Sequence, residues 1–177
     1  IWVRGASVSP GYWNQPAASA EKFGALIDEP GASETFLRTG DLGFIQSGEL
    51  FVTGRYSDLI IVHGRNIHPQ DLEDTAQMAS EWIRPRSVIA CPVEHAGREC
   101  VVLLVECRNQ LTPGNLASLQ ADVRHAVADA HQVDLLEIVL LRGGVLPRTS
   151  SGKLQRRDAR RMYLAGELAS SQLQATP

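Results

Sequence analysis

Two apolar runs, SVIACPV (87–93) and CVVLLVECR (100–108), set the strongest constraint on what this chain can fold into. They are continuous rather than alternating, and they are rich in valine. A short unbroken run of this kind reads as a strand buried on both faces, so other elements must cover it on each side. Neither run approaches the ~20 residues that a membrane span needs. A third run, LLEIVLL (135–141), reads in the same way. Helical patterns lie between and around these strands. Pro69 suits the first position of a helix over PQDLEDTAQMAS (69–80), and Asp71 and Glu73 favour the positive end of its dipole. Pro113 opens a second helix. Leu116, Leu119, Val123, Val127 and Ala130 recur there at steps of three and four, which gives one apolar face. A last helix is expected over 154–165.

From residue 56 to 177 the order is therefore hairpin (59–62 and 66–67 around Gly64), helix, strand, strand, helix, strand, loop (143–152) and helix. That is a small α+β domain of ordinary size, with a β-hairpin, a sheet of about three strands and flanking helices. Residues 1–55 are different. IWVRGASVSPGYWNQP (1–16) reads as two short strand pieces punctuated by Gly5, Pro10 and Gly11. AASAEKFGALI (17–27) reads as a short helix, and TFLRTGDLGFIQSGELFVTGR (35–55) as a hairpin around Ser47-Gly48. These pieces are too thin to bury a core, and they read as the β-rich end of a larger preceding domain. The chain also opens at Ile1 in mid-strand, without an initiator methionine or a signal peptide, so it reads as part of something longer.

Composition narrows the function classes. With 44% hydrophobic and 21% charged residues the chain is of ordinary globular type, and a net charge of -3 gives no global reason to expect nucleic-acid or membrane binding. Cys91, Cys100 and Cys107 form no C-x-x-C pair and read as buried free thiols, which fits a reducing cytosol and a cytoplasmic location. The five histidines lack ligand spacing, so no protein-bound metal is expected.

Four constellations could carry chemistry. RTGDLG (38–43) puts Asp41 in a glycine-flanked turn. Such an Asp is usually a turn former, but it could also accept hydrogen bonds from a ribose diol. GRYSDLI (54–60) follows with Arg55, either a solvated arginine or a planar donor fork for the same sugar. VHGRNIHPQDLE (62–73) sets Gly64, Arg65 and Asn66 at a hairpin tip leading into a helix, with Gly64 supplying backbone freedom. PRTSSGKLQRR (147–157) carries Lys153 behind a polar run. Its Gly-Lys pair does not make a P-loop: Leu154 follows the lysine, and no glycine stands five places before Gly152. From Arg142 to Tyr163 seven basic residues (Arg142, Arg148, Lys153, Arg156, Arg157, Arg160, Arg161) face one acid, Asp158. A charge run on a helix is usually a solvated face, though this one would also attract an anionic partner.

Taken in order, these motifs are more specific than any one alone. GASVSPGYWNQP, FLRTGDLGF, GELFVTGRYSDLIIVHGRNIHPQDLE and LPRTSSGKLQR together resemble the last third of an adenylate-forming enzyme, the superfamily of acyl-CoA synthetases, peptide-synthetase adenylation domains and luciferases. GRN followed by PQDLE is most similar to the fatty acyl-AMP ligases. The resemblance implies ATP as substrate, with Asp41 and Arg55 on the ribose of ATP and of the acyl adenylate. It implies Lys153 as the lysine that stabilises charge during adenylate formation, on an arm made flexible by Thr-Ser-Ser-Gly. It implies a hinge at Ser57, where relatives usually carry Lys or Asp. It implies that Gly64, Arg65 and Asn66 face the site in the thioester-forming pose. Magnesium ligands, phosphate loop and acyl pocket would lie upstream. The implied partners are a fatty acid, the phosphopantetheine of an acyl carrier protein and the chain's own N-terminal domain, and this segment alone would be inactive. An acyl-CoA synthetase, a peptide-synthetase adenylation domain and a non-catalytic interaction module remain as alternatives.

Overall fold

The structure, a computed structural model, describes residues 1–28, 31, 33–108 and 111–173. Its contacts divide the chain into two compact units, Ile1–Asp58 and Leu59 onward.

The first unit is a set of short strands around one helix. β1 (Trp2–Val3), α1 (Pro16–Phe23), β2 (Ala25–Leu26) and β3 (Thr35–Arg38) form a three-stranded antiparallel sheet in the order β1-β3-β2 with α1 beside it. β4 (Asp41–Gln46) and β5 (Glu49–Arg55) form a separate antiparallel hairpin. Ser47 and Gly48, both with positive φ (54° and 82°), make its two-residue turn. Two expectations change here. Only Trp2–Val3 of the first sixteen residues is a strand, because the Gly5, Pro10 and Gly11 region makes turns. The helix also stops at Phe23: Gly24 caps it by donating its N–H to the Ala20 carbonyl, and the chain then turns into β2. Ala25 is the unit's only fully buried apolar residue among those described, so the unit has almost no core of its own.

The second unit has the core. β6 (Ile60–Val62) and β7 (Arg65–Ile67) form a hairpin, followed by α2 (Pro69–Ala79), β8 (Ile83–His95), β9 (Arg98–Cys107), α3 (Pro113–His131), β10 (Leu135–Leu141) and α4 (Arg156–Leu164). The main sheet runs β10-β9-β8, with β8 antiparallel and β10 parallel to β9. A parallel pair needs a long crossover, and α3 supplies it. α3 begins with a reciprocal cap: Asn115 N–H donates to Thr112 Oγ1, and Thr112 N–H donates to Asn115 Oδ1.

Alternation along the strands splits the core into two layers. Val88 and Ala90 of β8, Val101, Leu103 and Val105 of β9, and Ile138 and Leu140 of β10 face Leu72 and Ala76 of α2 and Leu116, Leu119, Val123 and Val127 of α3. Ile89, Cys91, Val93, Val102, Leu104, Val139 and Leu141 face Leu146, Ala159 and Leu168 on the other side. The apolar runs are thus strands covered on both faces, and the α+β expectation holds. Ala130, expected on the buried face of α3, is exposed; the stripe ends with Val127, and Val133 continues the core beyond the helix. β8 starts earlier than its apolar run suggests. It reaches back to Ile83 through a register shift before Val88, where Pro85 lacks an N–H and Arg86 has φ 53°.

Candidate functional site

The hairpin register decides the geometry of the first pair. Asp41 opens β4, Arg55 closes β5, and the two stand opposite one another. Arg55 Nε donates to Asp41 Oδ1 at 3.2 Å, and Asp41 N–H donates to Thr39 Oγ1 at 3.0 Å. The Asp41 side chain is one third exposed and that of Arg55 two thirds. One Asp41 carboxylate oxygen has no protein donor among the described residues. The pair therefore presents an acceptor and several guanidinium donors side by side. Ser57 follows in a single 3₁₀ turn, Tyr56–Asp58, which ends the first unit; its hydroxyl donates to Asp58 Oδ1 at 3.0 Å.

The second unit carries the rest. His63 and Gly64, with φ of 51° and 74°, form the two-residue turn between β6 and β7, and nothing lies within 4 Å of a Cβ built on Gly64. Arg65 and Asn66 sit on β7 rather than at the tip, and both are exposed. Arg65 Nη1 donates to the His131 carbonyl (3.2 Å) at the C-terminal end of α3, where a cation suits the helix dipole.

Lys153 lies on the wall of a groove of about 540 Å³ lined also by Glu73, Arg86, Arg148, Leu154 and Arg156. Its side chain is exposed and makes no hydrogen bond or ion pair with any described residue. Its backbone is held firmly. Thr149 N–H donates to the Lys153 carbonyl at 2.8 Å, Gly152 N–H to the Thr149 carbonyl at 2.8 Å, and Lys153 N–H to Thr149 Oγ1 at 3.1 Å. Arg148 and Leu154 pair across the base of this turn. The polar run is a closed turn rather than an open arm, because Thr149 caps its backbone and the other bonds run between its own backbone groups.

Three groups around this turn take roles that the sequence does not show: Glu106 is not among the candidates above, and Glu73 and Arg160 read there only as helix-end and cluster charges. Glu106 is 1% exposed and points to the α4 side of the sheet. Its Oε1 accepts from Gly144 N–H (3.0 Å) and Leu146 N–H (2.7 Å). Glu73 on α2 holds Arg156 through two hydrogen bonds (3.0 and 2.9 Å) and also accepts the N–H of Ala90 on the free edge of β8. Arg160 Nε donates to the Pro92 carbonyl on the same edge at 2.7 Å. Much of the basic cluster is therefore structural: it ties α4 to an edge strand that would otherwise present unpaired backbone groups. Arg142, Lys153 and Arg157 make no side-chain bond to any described residue. Behind the groove, burial pushes the Cys91 thiol up to about 12. Burial, followed by the hydrogen bond to Glu137, raises the Tyr163 hydroxyl to about 12.

A family model for the AMP domain of Disco-interacting protein 2-like proteins matches residues 57–173. The chain belongs to this family. A medium-chain-fatty-acid–[acyl-carrier-protein] ligase of Moorena producens is 39% identical over 95% of the chain, which spans 28% of that protein. A long-chain-fatty-acid–AMP ligase of Mycolicibacterium smegmatis is 34% identical over 98% of the chain and 32% of its own length. The chain thus spans about three-tenths of these curated relatives. Among solved structures, one from a study of fatty acyl-adenylate ligases of E. coli and L. pneumophila matches with a TM-score of 0.68 and 34% identity, over 91% of this chain and 26% of its own. The adenylation region of a keto acid-selecting peptide-synthetase module matches with a TM-score of 0.80 and 25% identity, over 96% and 13%. The resemblance seen in the motifs therefore holds for sequence and fold alike. No helix among the described residues is long and apolar enough to cross a membrane.

Proposed function

We propose that this chain forms the C-terminal part of a fatty acyl-AMP ligase, which joins a fatty acid to ATP as acyl adenylate and passes the acyl group to the phosphopantetheine thiol of a carrier protein. The observation that carries this reading is the 39% identity, across nearly the whole chain, to a ligase named for a fatty acid and an acyl carrier protein. Residues 1–55 then belong to the end of the large adenylation domain and residues 56–177 form the mobile C-terminal domain, with Ser57 at the hinge. Serine there serves by absorbing backbone rotation, with no charge involved.

The site chemistry supports this reading. Asp41, with an oxygen left to accept, and Arg55, with donors left to give, fit the two hydroxyls of a ribose. Lys153 brings an ammonium without a partner among the described residues. Attack of a carboxylate on the α-phosphate brings negative charges together, and a positioned ammonium offsets the charge that develops. Gly64, Arg65 and Asn66 lie on a different element and serve the thioester-forming pose. Magnesium, whose ligands are expected upstream, would offset charge on the ATP phosphates. No three His, Cys, Asp or Glu residues among those described gather to hold a metal. These 177 residues alone are expected to form no acyl adenylate.

A second reading, with free CoA as acceptor, is favoured by the putative fatty-acid–CoA ligases of Mycobacterium that are 36% identical over 88% of the chain. The intact enzyme decides between them. It is given ATP, magnesium and mixed fatty acids, with CoA and phosphopantetheinylated carrier protein in separate reactions, and products are read by mass spectrometry. Acyl adenylate with transfer only to the carrier is expected. Abundant acyl-CoA would establish the second reading, and no adenylate from any fatty acid would overturn both.

A further inference from the structure

We propose that Glu106 and Arg148 are positioning residues for Lys153: the buried carboxylate and the arginine beside it fix where the 149–153 turn stands on the sheet, so the lysine reaches toward the reaction from a set backbone position. The proposal rests on the adenylation role of Lys153 given above.

Glu106 interrupts an otherwise apolar strand. It follows Val102 and Leu104 on the α4 face of β9 and is 1% exposed. Burying a carboxylate costs several kcal/mol unless donors surround it. The described partners of Glu106 all belong to the segment leading to Lys153: Gly144 N–H and Leu146 N–H donate to Oε1, and the Arg148 guanidinium forms an ion pair with Oε2 at 3.5 Å. Arg148 carries the restraint onward. Its Nη2 donates to Ser87 Oγ (2.9 Å) and the Arg86 carbonyl (3.2 Å), both at the bulge of β8. Its Nη1 donates to the carbonyl of Gly152, the residue directly before the lysine, at 3.2 Å. Arg148 thus bridges the sheet edge and the far limb of the turn.

Thr149 supplies the turn's own caps, and Arg148 steadies them by holding the Gly152 carbonyl. What Arg148 adds is a fixed direction relative to the sheet. A planar guanidinium with fixed donor directions suits that task better than a flexible ammonium. A lysine whose backbone is anchored has only its side-chain torsions left to fix when it meets its substrate, whereas one on a loose loop must also order its backbone, and a lower ordering cost of this kind raises the rate of the step that uses it.

The test uses the intact enzyme, with Arg148→Ala, Arg148→Lys and Glu106→Gln made in the natural and Lys153→Ala backgrounds. Single-turnover acyl-adenylate formation and transfer from supplied acyl adenylate are measured separately. In the natural background Arg148→Ala should slow adenylate formation about tenfold or more at saturating ATP and fatty acid, with each KM within about twofold. Transfer should stay within about threefold, and Arg148→Lys and Glu106→Gln should fall in between. In the Lys153→Ala background Arg148→Ala should add no further loss, as expected for residues acting through one group. Equal losses in both backgrounds, a rise in KM alone, or an unchanged rate would overturn the proposal. If Lys153→Ala is itself fully active, the functional reading falls first and leaves no lysine to position. Hydrogen exchange on the 177-residue chain separates misfolding from lost restraint. With Arg148→Ala, the amides of Gly152 and Lys153 should exchange about tenfold faster while those of Val101–Val105 do not change. Unchanged exchange at Gly152 and Lys153 would also overturn the proposal.

Discussion

Glu73→Ala should lower the stability of the second unit by about 3 kcal/mol, and the figure follows from what the carboxylate touches. Glu73 joins three elements: it sits on α2, accepts the N–H of Ala90 on β8, and grips Arg156 at the start of α4. Ala90 is fully buried, so losing its acceptor strands a backbone N–H, at about 1–3 kcal/mol. Breaking a buried ion pair costs about 3–5 kcal/mol. Here the Arg156 side chain is 22% exposed and Glu73 14%, so the arginine recovers part of that loss by turning toward water. At 2–4 °C per kcal/mol for a chain of this size, the melting temperature of the second unit should fall by about 6–12 °C. Circular dichroism during heating of the 177-residue chain reads this directly. Glu73→Gln keeps an oxygen for Ala90 and loses the charge, so it should lie between Glu73→Ala and the natural protein. A fall of less than about 2 °C for Glu73→Ala would refute the reasoning, because it would mean that neither the strand edge nor α4 depends on this carboxylate.

Three further outcomes are expected. Leu103→Ala removes a fully buried side chain from the central strand and should cost about 2–5 kcal/mol in urea unfolding with an unchanged m-value. Gly64→Ala meets no neighbour but must adopt φ 74°, so it should cost only about 1–2 kcal/mol, seen as faster exchange of the hairpin amides. Burial pushes Cys91 from the ordinary 9.0 to about 12 and Cys107 to about 11, while Cys100 is only partly buried. A thiol reagent at pH 8 should therefore label Cys100 first and leave the other two silent. The raised values also fix a sign: an unfolded chain ionises these thiols above pH 9 and the folded one does not, so their contribution is complete below pH 9 and is lost as pH rises toward 11–12. Stability that rises between pH 9 and 11 would contradict this.

What the sequence makes legible depends on whether period or partner decides a residue's place. The three apolar strands and the buried stripe Leu116, Leu119, Val123, Val127 are visible because periodicity and burial say the same thing. The pairing of Asp41 with Arg55 is visible only through resemblance, since fourteen residues and a turn separate them and the register across β4 and β5 brings them together. Glu106 is hidden by its surroundings: inside CVVLLVECR it reads as a blemish in an apolar run, yet its alternation with Val102 and Leu104 already places a charge in the core. A buried carboxylate is almost never unpaired, so that position alone could have pointed to a partner. The basic cluster misleads in the opposite way. Arg148, Arg156 and Arg160 count as surface charge in one dimension but satisfy acceptors on the sheet edge or buried carboxylates in three. The Thr-Ser-Ser-Gly run looks like a loose arm by composition and is a closed turn by hydrogen bonding.

The most direct test of the central claim, that Lys153 serves adenylate formation and not the later transfer, is a paired measurement on Lys153→Ala in the intact enzyme. Single-turnover formation of acyl adenylate is compared with transfer from acyl adenylate supplied ready-made. The account predicts a loss of about 10²–10³ in the first step, the scale for removing one positioned charge-stabilising group, with the second step nearly unchanged. Full activity in the first step, or an equal loss in both, would contradict it.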